Sequence, residues 1–139
     1  MRPFYLAIMT AILWGITPVV EKMGLSKIEP LAGVLIRCFG VIVGTVILAL
    51  FNTNLLKMAL KADLKTMLFL IAGGIMASVL GQILFYSALK QGEASKLVPV
   101  AGMYPLVSFI LGLIFLGETF TLSKGFGMVL VVLGVFLLR

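Results

Sequence analysis

The run LAGVLIRCFGVIVGTVILALF, Leu31 to Phe51, carries one charged residue, Arg37, in 21 positions and mixes glycine freely with Val, Ile and Leu. A helix needs about 17 to 25 such residues to cross a bilayer, so this run reads as a span. Working outward, comparable apolar runs cover roughly residues 4–20, 67–89, 97–116 and 122–138, and with 31–51 they make five in a chain of 139 residues. Strand spans alternate apolar and polar residues, and these runs are apolar all round, which leaves helices that satisfy their own backbone groups. The expected fold is an all-α membrane protein, one five-helix domain over residues 1–139.

Composition points the same way. Hydrophobic residues make up 62% of the chain and charged residues 12%, with mean hydropathy +1.24, whereas soluble domains are about half apolar and about a quarter charged. The net charge of +6 is carried mainly at span edges, by Arg2, Lys57, Lys61, Lys65, Lys90 and Lys96, where anionic lipid headgroups are nearer partners than nucleic acid. Cys38 stands alone inside an apolar run, so no intrachain disulfide is expected. The first run lacks a small-residue cleavage site and is read as a retained helix rather than a signal peptide.

The connections, Glu21 to Pro30, Asn52 to Thr66, Lys90 to Lys96 and Gly117 to Thr121, are too short for a soluble domain. Pro30 suits a helix start, Ser95 a cap of the fourth helix, and Thr119, Thr121 or Ser123 a cap of the fifth. The lysine-rich segment from Asn52 to Thr66 suits a short surface helix. Five crossings place the chain ends on opposite faces. One face then receives Arg2, Lys57, Lys61, Lys65 and Lys124, the other Lys22, Lys27, Lys90, Lys96 and Arg139, five each. That balance gives no orientation by the positive-inside rule and suggests dual topology with an antiparallel homodimer; the alternative is one orientation set by the Lys57 to Lys65 cluster.

Polar and small residues recur at helical spacing inside the spans. Thr10, Trp14, Thr17 and Glu21 share a face of the first helix, with Pro18 able to bend it. Gly33, Arg37, Gly40 and Gly44 line the second helix; Gly74, Ser78, Gln82 and Tyr86 the third; Ala101, Pro105, Ser108 and Gly112, with Tyr104 alongside, the fourth. The fifth, with Gly127 and Gly134, reads as a packing or dimerisation helix. The glycines serve either close helix packing or the lining of a path. Trp14, Gln82 and Tyr104, near mid-span by count, serve either a cavity or plain packing.

Arg37 lies about 9 Å into its helix at ~1.5 Å per residue, and a mid-helix charge costs about 2.5 to 3.5 kcal/mol on insertion scales. It is either an anion contact at the mouth of a cavity, or it snorkels to the interface or pairs with Glu21, Glu29 or Glu93. Glu118 reads as an interfacial carboxylate ordering the last connection. Without His, and without Asp or Glu mid-span, no buried proton relay is apparent. No phosphate loop, nucleophile and base pair or metal cluster appears, so no ATP coupling, enzyme activity, cofactor or metal is expected.

The ordered set Trp14-Gly15, Lys22, Pro30, Arg37, Tyr86, Ala88-Leu89, Ser95, Pro99, Phe115-Leu116-Gly117-Glu118, Gly127 and Gly134 resembles the EamA-type domain of the drug/metabolite transporter superfamily over essentially the whole chain. The resemblance implies one half of an inverted-repeat bundle acting as an inverted homodimer. It also implies export or exchange of small metabolites, amino acids or drugs by alternating access. By position it carries over Trp14, Arg37, Tyr86, Pro99 and Glu118 as motif residues. Spacing adds Thr10, Thr17, Gln82, Tyr104 and Ser108 as lining residues, with Pro18, Gly40, Gly44, Pro99, Pro105 and Glu118 as hinge or structural positions. The expected setting is the cytoplasmic membrane of a prokaryote, with lipid and a small-molecule substrate as partners. A small multidrug-resistance-like proton antiporter is the rival transporter reading, opposed by the placing of Glu21 at the end of its helix; a non-transporting membrane subunit is the rival class.

Overall fold

A computed structural model describes residues 2–138, with the side chains of residues 3–138; Arg139 and the side chain of Arg2, both counted in the charge balance, lie outside the described residues. The elements in order are α1 Arg2–Leu25, α2 Pro30–Phe51, α3 Thr53–Leu60, α4 Leu64–Ile75, a π-helical turn Met76–Leu80, α5 Gly81–Gln91, α6 Ala94–Ala101, α7 Tyr104–Phe115 and α8 Leu122–Leu137. Most of the described residues are helical and none forms a strand, and four stretches are long and apolar enough to cross a membrane: Pro3–Leu25, Pro30–Phe51, Leu64–Gln91 and Ala94–Phe115. The fifth apolar helix, α8, has 16 residues, about 24 Å at ~1.5 Å per residue, short of the ~30 Å hydrocarbon core.

Large apolar side chains stay outside. At most 6% of the residues in each span's apolar window are buried, and Phe39, Phe69, Leu84 and Phe126 are among many that stand exposed. A surface of this kind is stable only against lipid or protein; this is a membrane protein.

The chain forms two compact units, Met1–Pro18 with Gln91–Arg139, and Val19–Lys90. The second unit holds the buried hydrophobic side chains, Leu25, Val34, Tyr86 and Leu89. Gly33 makes their packing possible, since a Cβ there would sit 2.7 Å from Leu25 Cδ2 and 3.2 Å from the Tyr86 ring. Two lysines tie the ends of these helices together. Lys22 Nζ donates to the Leu89 carbonyl at 2.9 Å, and Lys90 Nζ to the Ile28 carbonyl at 2.8 Å, so a carbonyl in the last turn of α5 gains a charged donor.

In the first unit, Pro105 lacks the N–H that would bond the Ala101 carbonyl, so the fourth span breaks there. α6 ends at Ala101, Gly102 and Met103 turn, and α7 begins at Tyr104. After α7, Gly117 takes φ 65°, a left-handed value that favours glycine, and the Glu118 N–H returns to the Gly112 carbonyl at 3.2 Å. Phe120 then lies between Phe109, at 6.2 Å between centroids, and Gly125, where a Cβ would meet its ring at 3.0 Å.

Pro30 starts α2, Thr121 caps α8 by accepting from the Lys124 N–H, and the segment after Asn52 carries the short helix α3. Two local expectations change. Ser95 is not the cap of the fourth span; it lies inside α6, whose cap position is Glu93, because the Lys96 and Leu97 N–H groups turn back to the Glu93 carbonyl. Glu21 is not a connection residue, because α1 runs on for a further turn to Leu25.

Candidate functional site

Glu21 gathers three helices. Its carboxylate, 13% exposed on the side chain, lies with Oε1 3.3 Å from Arg37 Nε on α2 and accepts at Oε2 from Gln82 Nε2 on α5 at 3.2 Å. Of the three carboxylates expected as partners of Arg37, Glu21 is the one it meets; Glu29 pairs instead with Lys90 and Glu93 with Lys96. Arg37 Nη1 makes a long contact, 3.5 Å, with the Ser78 carbonyl, and Cys38 Sγ approaches the same oxygen at 3.9 Å. Ser78 sits in the π turn, where wider i to i+5 bonding disturbs the ordinary ladder; its carbonyl is thus available to a second helix.

One face of the cluster opens into a cavity of about 270 Å³ lined by Glu21, Gly24, Leu25, Ile28, Gly33, Ile36, Arg37 and Tyr86. That lies near the small end of ligand sites, about 300 Å³. Apolar walls with one charged end suit a compact molecule with a single polar head. Tyr86 is 3% exposed, with its hydroxyl beside Glu21 and Gln82.

Of the expected lining residues, Arg37, Gln82 and Tyr86 are thus brought together in the second unit. In the first unit Trp14 and Tyr104 meet edge to face, centroids 6.2 Å apart at 62°, the favoured aromatic geometry. Thr10 and Thr17 spend their hydroxyl protons on the Leu6 and Leu13 carbonyls of their own helix, and Ser108 is exposed on α7; none of these hydroxyls is drawn to another helix. Pro18 is buried in α1 and leaves the Trp14 carbonyl without its helical donor. Gly40 and Gly44 face open space within the protomer, and Gly33 is the glycine of their stripe that accepts a close neighbour. Pro99 lies within α6.

A sequence profile of the EamA-like transporter family matches residues 1–139. The chain belongs to the EamA-like transporter family. It is a membrane transporter. This EamA-like protein is 28% identical over 96% of its length to an uncharacterized protein of Methanocaldococcus jannaschii, covering 93% of that relative. It is 29% identical over 95% of its length to an uncharacterized transporter of Sinorhizobium, covering 92% of it. An uncharacterized transporter of Clostridium kluyveri is 25% identical over 92% of this chain, which spans 40% of that longer protein. No solved structure matches.

The structure gives the EamA-like motif residues physical work. Arg37 and Tyr86 frame the cavity, Trp14 meets Tyr104 edge to face, and in Phe115-Leu116-Gly117-Glu118 the glycine makes the turn while the Glu118 side chain covers Gly112, where a Cβ would lie 3.2 Å from its carboxyl carbon. Gly24 and Lys22 are the neighbours of the cluster that spacing alone did not single out. Glu21 was visible as the last member of the Thr10, Trp14, Thr17 stripe, whereas Lys22 reaches its partner only through tertiary packing.

Proposed function

We propose that the protein is a secondary transporter that exports or exchanges a small metabolite by alternating access, working as an antiparallel homodimer of five-crossing units in the cytoplasmic membrane of a prokaryote. The observation that carries this reading is a charged and polar cluster, Glu21, Arg37 and Gln82, at the end of an apolar-walled cavity within apolar helices. Ionisable residues within apolar spans are by default candidates for a substrate path. Arg37, Gln82 and Tyr86 bind the substrate; Trp14 and Tyr104, with Thr10, Thr17 and Ser108, line its path; Pro18, Pro99 and Pro105 supply hinges, and Glu118 holds the last connection. Gly40 and Gly44, open on their outer side, belong to the contact between copies.

The pairing of two units is supported by relatives of two sizes, since the chain accounts for most of the Methanocaldococcus protein but 40% of the Clostridium transporter, which leaves room there for a second such unit. The fifth crossing is α8, its short length met by local thinning of the bilayer. Flux tests the reading: purified protein in liposomes should exchange solute, Trp14→Ala and Gln82→Ala should abolish exchange while the protein stays folded, and full flux in both variants refutes the assigned path. C-terminal reporters active on only one side of the membrane would remove dual topology.

A further inference from the structure

We propose that Glu21 is a resident carboxylate occupying the anion-binding end of the second unit's cavity, and that the ligand displacing it is a small organic anion, a carboxylate on a compact apolar body. The inference rests on reading this cavity as the transporter's binding site. Arg37 supplies the recognition: among the described residues it has one carboxylate partner, Glu21 at 3.3 Å, and its side chain keeps 29% of its surface exposed. Charge-assisted N–H···O bonds close to about 2.7 to 2.9 Å when tight. The Glu21 contact and the 3.5 Å approach to the Ser78 carbonyl are both longer, so the guanidinium is held without being clenched, and its planar fork has donors beyond these two.

The acceptor side is the more fully used. Both Glu21 oxygens are engaged, one by Arg37 and one by Gln82. A ligand ammonium would therefore compete with two established donors, whereas a ligand carboxylate meets a cation with capacity to spare. Gln82 also gives Glu21 somewhere to remain once Arg37 is taken: the Oε2 bond to α5 survives loss of the Oε1 contact to α2. Gly24, Leu25, Ile28, Gly33 and Ile36 offer only apolar walls, which selects for a single polar head. The two nearby lysines are committed elsewhere, Lys22 to the Leu89 carbonyl and Lys90 to Ile28 and Glu29. In this arrangement Glu21 holds affinity down, because an entering anion meets its charge, and release of the anion is driven by its return to Arg37.

The test is equilibrium binding of isocaproate to the full chain in lipid nanodiscs, with isocaproamide as the neutral isostere and leucine as the zwitterion. Glu21→Gln should bind isocaproate about three- to tenfold more tightly than the natural protein, since an opposing charge is removed while the amide keeps hydrogen-bonding capacity. Arg37→Gln should abolish that binding, and isocaproamide should not respond to either change. Should Glu21→Gln fail to fold, Arg37→Lys decides: it keeps the charge beside Glu21 but loses the fork, and isocaproate binding should fall while thermal stability holds. Isocaproate bound by neither the natural protein nor Glu21→Gln, unchanged or weaker binding in Glu21→Gln, undiminished binding in Arg37→Lys, or leucine binding that needs both charges, each overturns the assignment. Flux separates it from the transport reading. Binding with the expected Glu21→Gln gain but no flux of any solute ends the transport proposal and leaves the anion site; flux without that gain does the reverse.

Discussion

Gly33 offers its bare Cα to Tyr86, leaving the ring edge where a side chain would begin, 3.2 Å from the place of a Cβ. The two residues set how closely α2 approaches α5, and so how near Arg37, one helical turn along α2, comes to Gln82 and Glu21. A methyl group at Gly33 would also lie 2.7 Å from Leu25 Cδ2, but that atom ends a flexible chain and can move, whereas the buried ring cannot follow freely. Gly33→Ala should therefore lower stability by about 1 kcal/mol and Gly33→Leu by about 3 kcal/mol or more, as overpacking does. Thermal unfolding in detergent measures both, and equal midpoints for the natural protein and Gly33→Leu would remove the close approach.

The Glu21 and Arg37 pair should be coupled rather than independently useful. Glu21→Ala leaves a part-buried guanidinium short of its counter-charge and should cost about 2 kcal/mol or more; the charge-swapped variant, Glu21→Arg with Arg37→Glu, should recover part of that loss. A double-mutant cycle with coupling below about 0.5 kcal/mol would show that the contact contributes nothing.

At the end of α7, Gly117 with φ 65° makes the turn that lets Glu118 fold over Gly112. Gly117→Ala should cost about 1 kcal/mol and Gly117→Asn less, because asparagine tolerates the left-handed region. Equal unfolding midpoints for the two variants would count against this account.

Asp63 caps α4, accepting from the Thr66 hydroxyl at 2.7 Å and from the Thr66 N–H at 3.0 Å. These bonds, the hydroxyl first, hold its carboxyl below the ordinary aspartate range. A group with a depressed folded value gives its full contribution above the unfolded value, about pH 4, and loses it as pH falls through the folded one. The amides of Lys65 and Thr66 should therefore exchange hydrogen faster, relative to intrinsic rates, in acid than at neutral pH. Asp63→Ala should show the fast behaviour at both.

Much of this was legible in the chain itself. Four of the five expected spans announced themselves through length and hydropathy, and the Thr10, Trp14, Thr17, Glu21 spacing already led to the carboxylate around which the cluster forms. Proline chemistry gave Pro30 its place at a helix start. What could not be read depends on which elements meet. Gly33, Gly40 and Gly44 are equivalent by spacing, and only the arrival of Tyr86 and Leu25 distinguishes the first. Arg37 had three candidate carboxylates on its side of the membrane, and packing chose Glu21. Ser95 looked like a cap because its residue type favours that role, yet the chain turned two residues earlier, at Glu93.

The π turn from Met76 to Leu80 acts as a phase shifter. Each residue of a helix advances the side-chain direction by about 100°, so a surplus residue wound as ordinary helix would re-aim everything after it; the wider turn takes up that residue and keeps Gln82 and Tyr86 on the side of Glu21. Deleting one residue between Met76 and Leu80 would remove the surplus and the wide turn together and leave both side chains facing Glu21, whereas one further residue wound as ordinary helix between Leu80 and Gly81 would swing both away by about 100°, leaving a chain of nearly unchanged composition and hydropathy whose cluster had been taken apart by rotation alone.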